Sequence, residues 1–568
     1  MFGLFTRLLV LVFVVLQLVV VFTACETHGL ACSQWSGVVF VNDSITIAPG
    51  ACLSVADNTQ VVFSGADKNG IVISVQGQVS FGKNVVVQSL SEYKGDVQGS
   101  SGVSTDEWSI QIMDESQQEA LALESCQFRK STNYKRVAPM FLIGKAIPIK
   151  ISSSTFEGGN AAFYFRSNTT KKQEGEPVIK IEQSTFKSMI IVLDLSAMSW
   201  EEDAFKGNYI SILVSDSLFQ SIWYPISVFT ASFNSLNLFI SSSTMRNVEQ
   251  GVASNNAISL KSVVFENFAG AAKGASMKVS SCLFNNTNWH KSRYSYAITD
   301  IGKDLVKTVA YTILDSTFLG IRGDVLAVSA DCEELNFGSN LVADCGSHEE
   351  TTGGIITTSA LDTLSLAFNE FRNNDAPNRH LIFFPKVGSV SITRNTFVSN
   401  SADTILHIEQ SEKLTSGWEI KQNIFDNNST GTSSKPLTKT EISFGTSLSH
   451  KQIPGLYNYW GTANSITEGM TSSQLSKIIS NKIEPTSALN YIPFFLTNNV
   501  KNFNESNLGG LPANSTQNGL TTDEVIEIAV GSAGGVFLMA IFITTCVLLA
   551  IYVKQRKGKK RYESLNNI

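Results

Sequence analysis

A short phrase recurs along this chain and leaves few folds open to it. Its clearest copies are Ser153-Ser154-Thr155-Phe156, Gln183-Ser184-Thr185-Phe186 and Asp315-Ser316-Thr317-Phe318. A looser form of the pattern apolar, x, Ser/Asn, x, Phe, x, Ser/Asn recurs around Phe128, Phe156, Phe186, Phe219, Met245, Phe265, Phe284, Phe318, Phe371, Phe397 and Phe425. A degenerate copy sits at Asn340-Leu341-Val342. The closest copies are Phe265 and Phe284, and the gap widens between Phe284 and Phe318. Such spacing is that of solenoids and repeat arrays.

The residues inside each unit select among solenoids. Leucine-rich repeats need regular Leu spacing and helical repeats need long amphipathic runs; neither is present. Short alternating runs are present instead, such as Val178-Ile179-Lys180-Ile181 and Ser389-Val390-Ser391-Ile392, bounded by Gly, Asn and Ser. These are strands joined by turns. The expected fold is an all-β solenoid whose coils stack at about 4.8 Å, giving a rod on the order of 60 Å long. Stacked Phe fills its interior, which accounts for 35 Phe against 13 Tyr. Asn and Ser shape its turns, where Asp216 and Asp315 take equivalent positions.

The ends of the chain suggest a compartment. Leu8 to Phe22 is an apolar run interrupted only by Gln17, preceded by Arg7 and followed by small residues. Residues 1–25 read as a secretory signal peptide, with cleavage placed as late as residue 31. Residues 528–553 carry no charge and are long enough to span a hydrocarbon core of roughly 30 Å as a helix. Lys554, Arg556, Lys557, Lys559, Lys560 and Arg561 follow at once, so residues 554–568 form a basic cytoplasmic tail. Residues 497–524, polar and rich in Asn, Gly and Ser, read as a flexible stalk. The expected topology is single-pass type I, at the plasma membrane or an endolysosomal membrane. Charged residues are only 16 % and the net charge is −6, so no nucleic-acid footprint is expected.

An oxidising exterior sets expectations for cysteines and asparagines. Cys32 with Cys52 and Cys332 with Cys345 are the candidate disulfides. Sequons stand at Asn42, Asn168, Asn285, Asn427, Asn428, Asn504 and Asn514, each a candidate glycosylation site in a eukaryotic host. No Cys/His cluster has metal spacing, and neither a metal nor a cofactor is expected.

The segment from Ser44 to Val55, with Thr46-Ile47-Ala48-Pro49-Gly50 at its centre, resembles the opening of right-handed parallel β-helix proteins of the pectin-lyase-like superfamily. Ile73-Ser74-Val75 and Trp108-Ser109-Ile110-Gln111-Ile112 continue the pattern. At the far end Asn423-Ile424-Phe425, Tyr457-Asn458-Tyr459-Trp460-Gly461 and Tyr491-Ile492-Pro493-Phe494 resemble its closing motifs. The resemblance implies a right-handed parallel β-helix over residues 38–496, with a cap between Thr462 and Leu489 that holds a short helix at Ser473 to Ile479. Enzymes of the superfamily cleave polysaccharides with clustered aspartates, or with calcium-binding acids and a basic residue. This chain has no Asp-Asp, Gly-His-Gly or Arg-Ile-Lys, so the reading leans away from catalysis and names no catalytic residue.

Candidate binding residues lie where the phrase lapses. Trp289, His290, Arg293, Tyr294 and Tyr296 cluster in the widened gap between Phe284 and Phe318. Aromatic faces stack on sugars and the basic groups donate to hydroxyls or carboxylates, so a glycan or a cell-surface protein is the expected ligand. Asn378-Arg379-His380 is a lesser candidate. In the tail, Tyr562-Glu563-Ser564-Leu565 fits a Tyr-x-x-apolar sorting signal of the kind clathrin adaptors read. The expected function is recognition or adhesion by a surface rod. A membrane-tethered polysaccharide lyase or hydrolase and a purely structural coat protein stand as alternatives; the first needs acidic and basic side chains from adjacent coils to converge in one groove.

Overall fold

One residue in each coil turns the chain into the repeat phrase, and it does so in a left-handed conformation. Ser125, Ser153, Gln183, Asp216, Ser242, Ser262, Ser281, Asp315 and Ser339 have φ between 47° and 56°. That region costs an L-residue on the order of 1 kcal/mol, and short polar side chains tolerate it best. Asp216 and Asp315 are therefore turn residues, as their positions in the repeat predict.

The computed structural model describes residues 32–509, apart from 65–69, 96–106, 132–138, 145–146, 167–177, 196–209, 230–235, 290–292, 303–307, 350–352, 412–417, 428–439, 449–452 and much of 461–507. Each strand pairs in parallel with the strand one coil later. Thus Ile149–Ser152, Thr155–Glu157 and Ala161–Phe165 lie on Val178–Glu182, Thr185–Lys187 and Ile191–Asp194. These three strands set three faces, here called first, second and third. In places one strand covers a whole coil: Thr244–Lys261 pairs with strands of all three faces of the coil before it. The chain is all-β with one large parallel sheet, an arrangement compatible with a β-solenoid.

The repeat phrase forms the second face. From Phe128 to Phe425 every copy is in register with the next, Met245 and Val342 included. Their rings stack inside: Phe284 and Phe318 have centroids 4.7 Å apart and planes 3° from parallel, and Trp460 closes the stack 5.0 Å beyond Phe425. At the weak copy Val342 leaves room, and Phe337 from the first face fills it, 5.9 Å from Phe318 and 6.3 Å from Phe371. Volume lost on one face is restored from another, which keeps the core close-packed.

A second ladder runs two residues before the rings. The Ser154 amide donates to the Ser184 hydroxyl, Ser184 to Ser217, and Ser217 to Ser243. From Ser316 the acceptor becomes Asn, through Asn340, Asn369, Asn395, Asn423 and Asn458. Each Asn also donates its side-chain amide to a carbonyl of the coil below, as Asn423 does to Ile392 at 2.8 Å. A parallel Asn ladder follows the rings at Asn374, Asn400 and Asn427. Buried amides are tolerated here because each is fully bonded.

The disulfide Cys32–Cys52 forms between paired strands at the first coil. The expected bridge between Cys332 and Cys345 does not. Cys332 lies on the first face, in register with Val309 and Leu361, whereas Cys345 heads the Asn374 ladder past the second face. Nearness in sequence places them on different sides of one coil. Both stay buried thiols, pushed up to about 12 by burial, and so inert as nucleophiles. At the far end Gln474, Lys477, Ile479 and Ser480 are helical, within the expected cap. Phe494–Phe495 pairs antiparallel with Leu508–Gly509, so pairing reaches into the segment read as a stalk. Among the described residues no helix is long and apolar enough to cross a membrane. Residues 1–25 and 528–568 lie outside the described residues.

Candidate functional site

The third face departs from simple alternation. In a regular strand consecutive side chains point to opposite sides, yet Ala297 with Ile298, Val325 with Leu326, Ile355 with Ile356, and Leu381 with Ile382 are all fully buried. Each coil bends there, and two columns of side chains face outward on either side of the bend. The column beyond it runs Thr299, Ala327, Thr357, Phe383 and His407 in register. Three small side chains thus precede two large rings. The column before the bend holds Tyr296 and Asp324 in register, then Gly354 and His380.

Small floor residues between larger neighbours leave a groove of about 580 Å³. Thr299, Ala327 and Thr357 line its floor and Phe383 closes one end. Tyr294, Asp324 and Gly353 line one side, Asp300, Ser329 and Ser359 the other. Asp300 holds its own side in place: its carboxylate accepts the amides of Ser329 (2.9 Å) and Ala330 (2.6 Å) and the Ser329 hydroxyl.

Asp324 is differently placed. It is 2 % exposed; the Tyr294 hydroxyl donates to its Oδ2, while Oδ1 is buried with no hydrogen-bond partner. Burial pushes its carboxyl up to about 6, against the opposing pull of the Tyr294 hydrogen bond and the Arg379 charge. Beyond it His380 stacks on Phe383 at 5.3 Å and on His407 at 4.4 Å. Burial, and then His407, push His380 down to about 4, so it is a neutral ring at physiological pH. His407 is fixed by Ser443 at Nδ1 and Glu409 at Nε2, the latter 2.7 Å away.

Of the five residues expected to bind, the structure brings two here. Tyr294 lines the groove, and Tyr296 lies in the neighbouring column, its hydroxyl pushed up to about 12 by burial first, then by Tyr224 and Glu249. Trp289 is half-buried in a turn closed on Asn286, and Arg293 is exposed; neither lines the groove. His290 lies outside the described residues, as do Tyr562 and Leu565. His380, a lesser candidate, stands at the groove's end. Asp324, Phe383 and His407 carry no local motif; only stacking over successive coils brings them together.

The sequons divide as well. Asn427 is a ladder residue: it is 5 % exposed, its Oδ1 accepts from Asn400 and its Nδ2 donates to Glu441 at 2.7 Å. Its amide is engaged inside the fold, which corrects its reading as a glycan acceptor. Asn42 accepts from Ser64, and Asn285 accepts from Thr287 in a local turn. Asn168, Asn428, Asn504 and Asn514 lie outside the described residues.

Comparison of the chain with models of protein families, with curated proteins and with solved structures finds no match.

Proposed function

We propose that this chain is a single-pass type I surface or endolysosomal protein, built as a right-handed parallel β-helix, that recognises a glycan in the groove of its third face. The observation that carries this reading is the groove's make-up. It is open and shallow-floored, with aromatic rings at Tyr294 and Phe383 and polar groups at Asp324, Thr299 and Thr357 between them. Sugars are bound by such mixtures, stacking on rings and bonding through hydroxyls. Asp324 Oδ1, buried without a partner, is an acceptor for a ligand hydroxyl. The apolar run at 528–553 and the basic tail support the topology, and Tyr562 and Leu565 support uptake through a clathrin adaptor.

The test is retention of glycans by the full-length protein, solubilised in detergent, on an array of neutral and acidic oligosaccharides. Wild type retains at least one class, and Asp324→Asn and Phe383→Ala retain it less. Retention of none, or retention indifferent to both changes, overturns the reading. For the tail, Tyr562→Ala slows clearance of the protein from the cell surface; unchanged clearance removes the adaptor from the proposal.

A second reading is favoured by one observation. Asp324, held up to about 6 beside Tyr294, with the charge of Arg379 acting on it from two coils on, has the character of a proton donor. It is the kind of convergence that a polysaccharide-cleaving enzyme needs. Glycosidic hydrolysis also calls for a second carboxylate, and the groove's other acid, Asp300, is occupied by Ser329 and Ala330. Release of reducing ends from a retained glycan, abolished by Asp324→Asn, would establish this reading over simple binding.

A further inference from the structure

The turn between the first and second faces changes character toward the far end of the chain. From Ser125 to Ser339 its left-handed residue is Ser, Gln or Asp. In the coils that follow, Phe368, Arg394 and Gln422 take that position, with φ of 60°, 58° and 57°. The backbone fixes their succession: the Ser339 amide donates to the Ala367 carbonyl, that of Phe368 to Thr393 and that of Arg394 to Lys421. The side chains therefore stand one above another at the inter-strand spacing of about 4.8 Å, along a convex edge of the coil.

Phe368 is a poor choice for the backbone it occupies. A bulky ring at left-handed φ is an outlier, and at 56 % exposed it fills no core in return. What it does is carry Arg394, whose guanidinium lies 5.2 Å from the ring centre. On the other side the Arg394 Nε donates to the Gln422 Oε1 at 3.0 Å. A long cation is thus held by the coil before and the coil after. Arg394 is exposed, and among the described residues it makes no ion pair and its Nη1 and Nη2 have no hydrogen-bond partner. The other charges beside this turn are paired among themselves, Lys421 with Glu419 at 3.1 Å and Arg372 with Glu370 at 3.5 Å. A guanidinium ordered in advance avoids the side-chain entropy that makes most exposed ion pairs weak, and its planar fork matches both oxygens of a carboxylate. A convex edge does not enclose a small molecule, which calls for a concave pocket. An Arg beside a bare aromatic ring is instead the make-up of a hot spot between proteins.

We propose that Phe368, Arg394 and Gln422 form a docking ridge for a protein partner: Arg394 takes an Asp or Glu carboxylate of the partner's exposed segment through Nη1 and Nη2, and Phe368 seats an adjacent apolar side chain. The strain at Phe368 then serves recognition, as strained backbone commonly does. The ridge lies on the turn between the first and second faces and the groove on the third, so this inference stands apart from the glycan reading.

The experiment applies the full-length protein, solubilised in detergent, to an array of capped hexapeptides. Each carries one Asp or Glu beside one apolar residue and is printed with its Asn or Gln counterpart; acidic oligosaccharides form a second array. The expected result is an acidic peptide retained about tenfold better than its amide counterpart. Arg394→Lys, which keeps the charge and loses the fork, removes about tenfold of that retention, and Phe368→Asn weakens it while the unfolding midpoint holds. Asp324→Asn, in the groove, leaves it unchanged. Retention of no acidic peptide, equal retention of acid and amide, or wild-type retention by Arg394→Lys overturns the ridge. Loss of peptide retention in Asp324→Asn overturns its placement, and acidic oligosaccharides retained in place of peptides and released by Arg394→Lys overturn the protein partner.

Discussion

The inward positions of the second face and the outward positions of the third follow opposite rules. On the second, one pattern is repeated in register from Phe128 to Phe425, with a Ser or Asn ladder beside it over most coils. On the third, the outward positions change at almost every coil, from Gln250 to Gly270, Tyr296 and Asp324, then Gly354 and His380. Repetition marks what must stack to hold the coils together. Variation marks what faces something else. The difference predicts that substitutions on the second face act on stability, and those on the third on binding.

The largest effect should come from the ladder. Asn423 accepts from the amide and side chain of Asn395 and donates to Ile392 and to Asn458. Asn423→Ala leaves those groups buried and unsatisfied, at a cost of about 4 kcal/mol. A clear fall in the unfolding midpoint of the detergent-solubilised protein is expected. Glycan retention at temperatures where the variant stays folded should match wild type. An unchanged midpoint would mean that the ladder is ornament rather than frame.

Asp324→Asn should do the reverse. The carboxyl titrates near 6 in the fold and near 4 in an unfolded chain, so the folded state binds the proton more tightly. Stability is then greatest below about pH 4, falls as pH rises through the window to about 6, and is flat above it. At neutral pH the ionised group costs at most about 3 kcal/mol. Asp324→Asn should therefore be more stable than wild type at pH 7.5, with the gain vanishing near pH 3.5, and should bind glycan worse at neutral pH. A variant less stable at pH 7.5 would place Asp324 with the frame and not with the site.

How far each face could be read from sequence follows from the same contrast. The ladder of rings was legible because its phrase is local: Ser or Asn, one residue, then Phe, with even the weak copy at Val342 falling in register. Its compensation by Phe337 was not, since that ring comes from the first face and its filling of the gap is a matter of packing. Tyr294 and Tyr296 were legible as an aromatic cluster in a widened gap. Asp324, Phe383 and His407 were not, because they stand one to two repeats apart and come together only through stacking of coils. The Cys332 and Cys345 pairing fails for the converse reason: closeness along the chain is not closeness in space when the two thiols lie on different sides of one coil.

The smallest effect sharpens the boundary between the faces. Phe368 takes the left-handed turn position that Ser and Asp hold elsewhere, with φ 60°, and it is 56 % exposed. A bulky ring there bears local strain on the order of 1 kcal/mol, partly offset by Arg394, whose guanidinium lies 5.2 Å from the ring centre and contributes about 0.5 to 1 kcal/mol. Phe368→Asn relieves the first and loses the second, so the unfolding midpoint should rise slightly or stay level. A marked fall would show that the ring–guanidinium pair outweighs the strain and belongs to the frame. A level midpoint leaves Phe368 as a variable, outward residue on an otherwise repetitive turn, the same signature that distinguishes the groove.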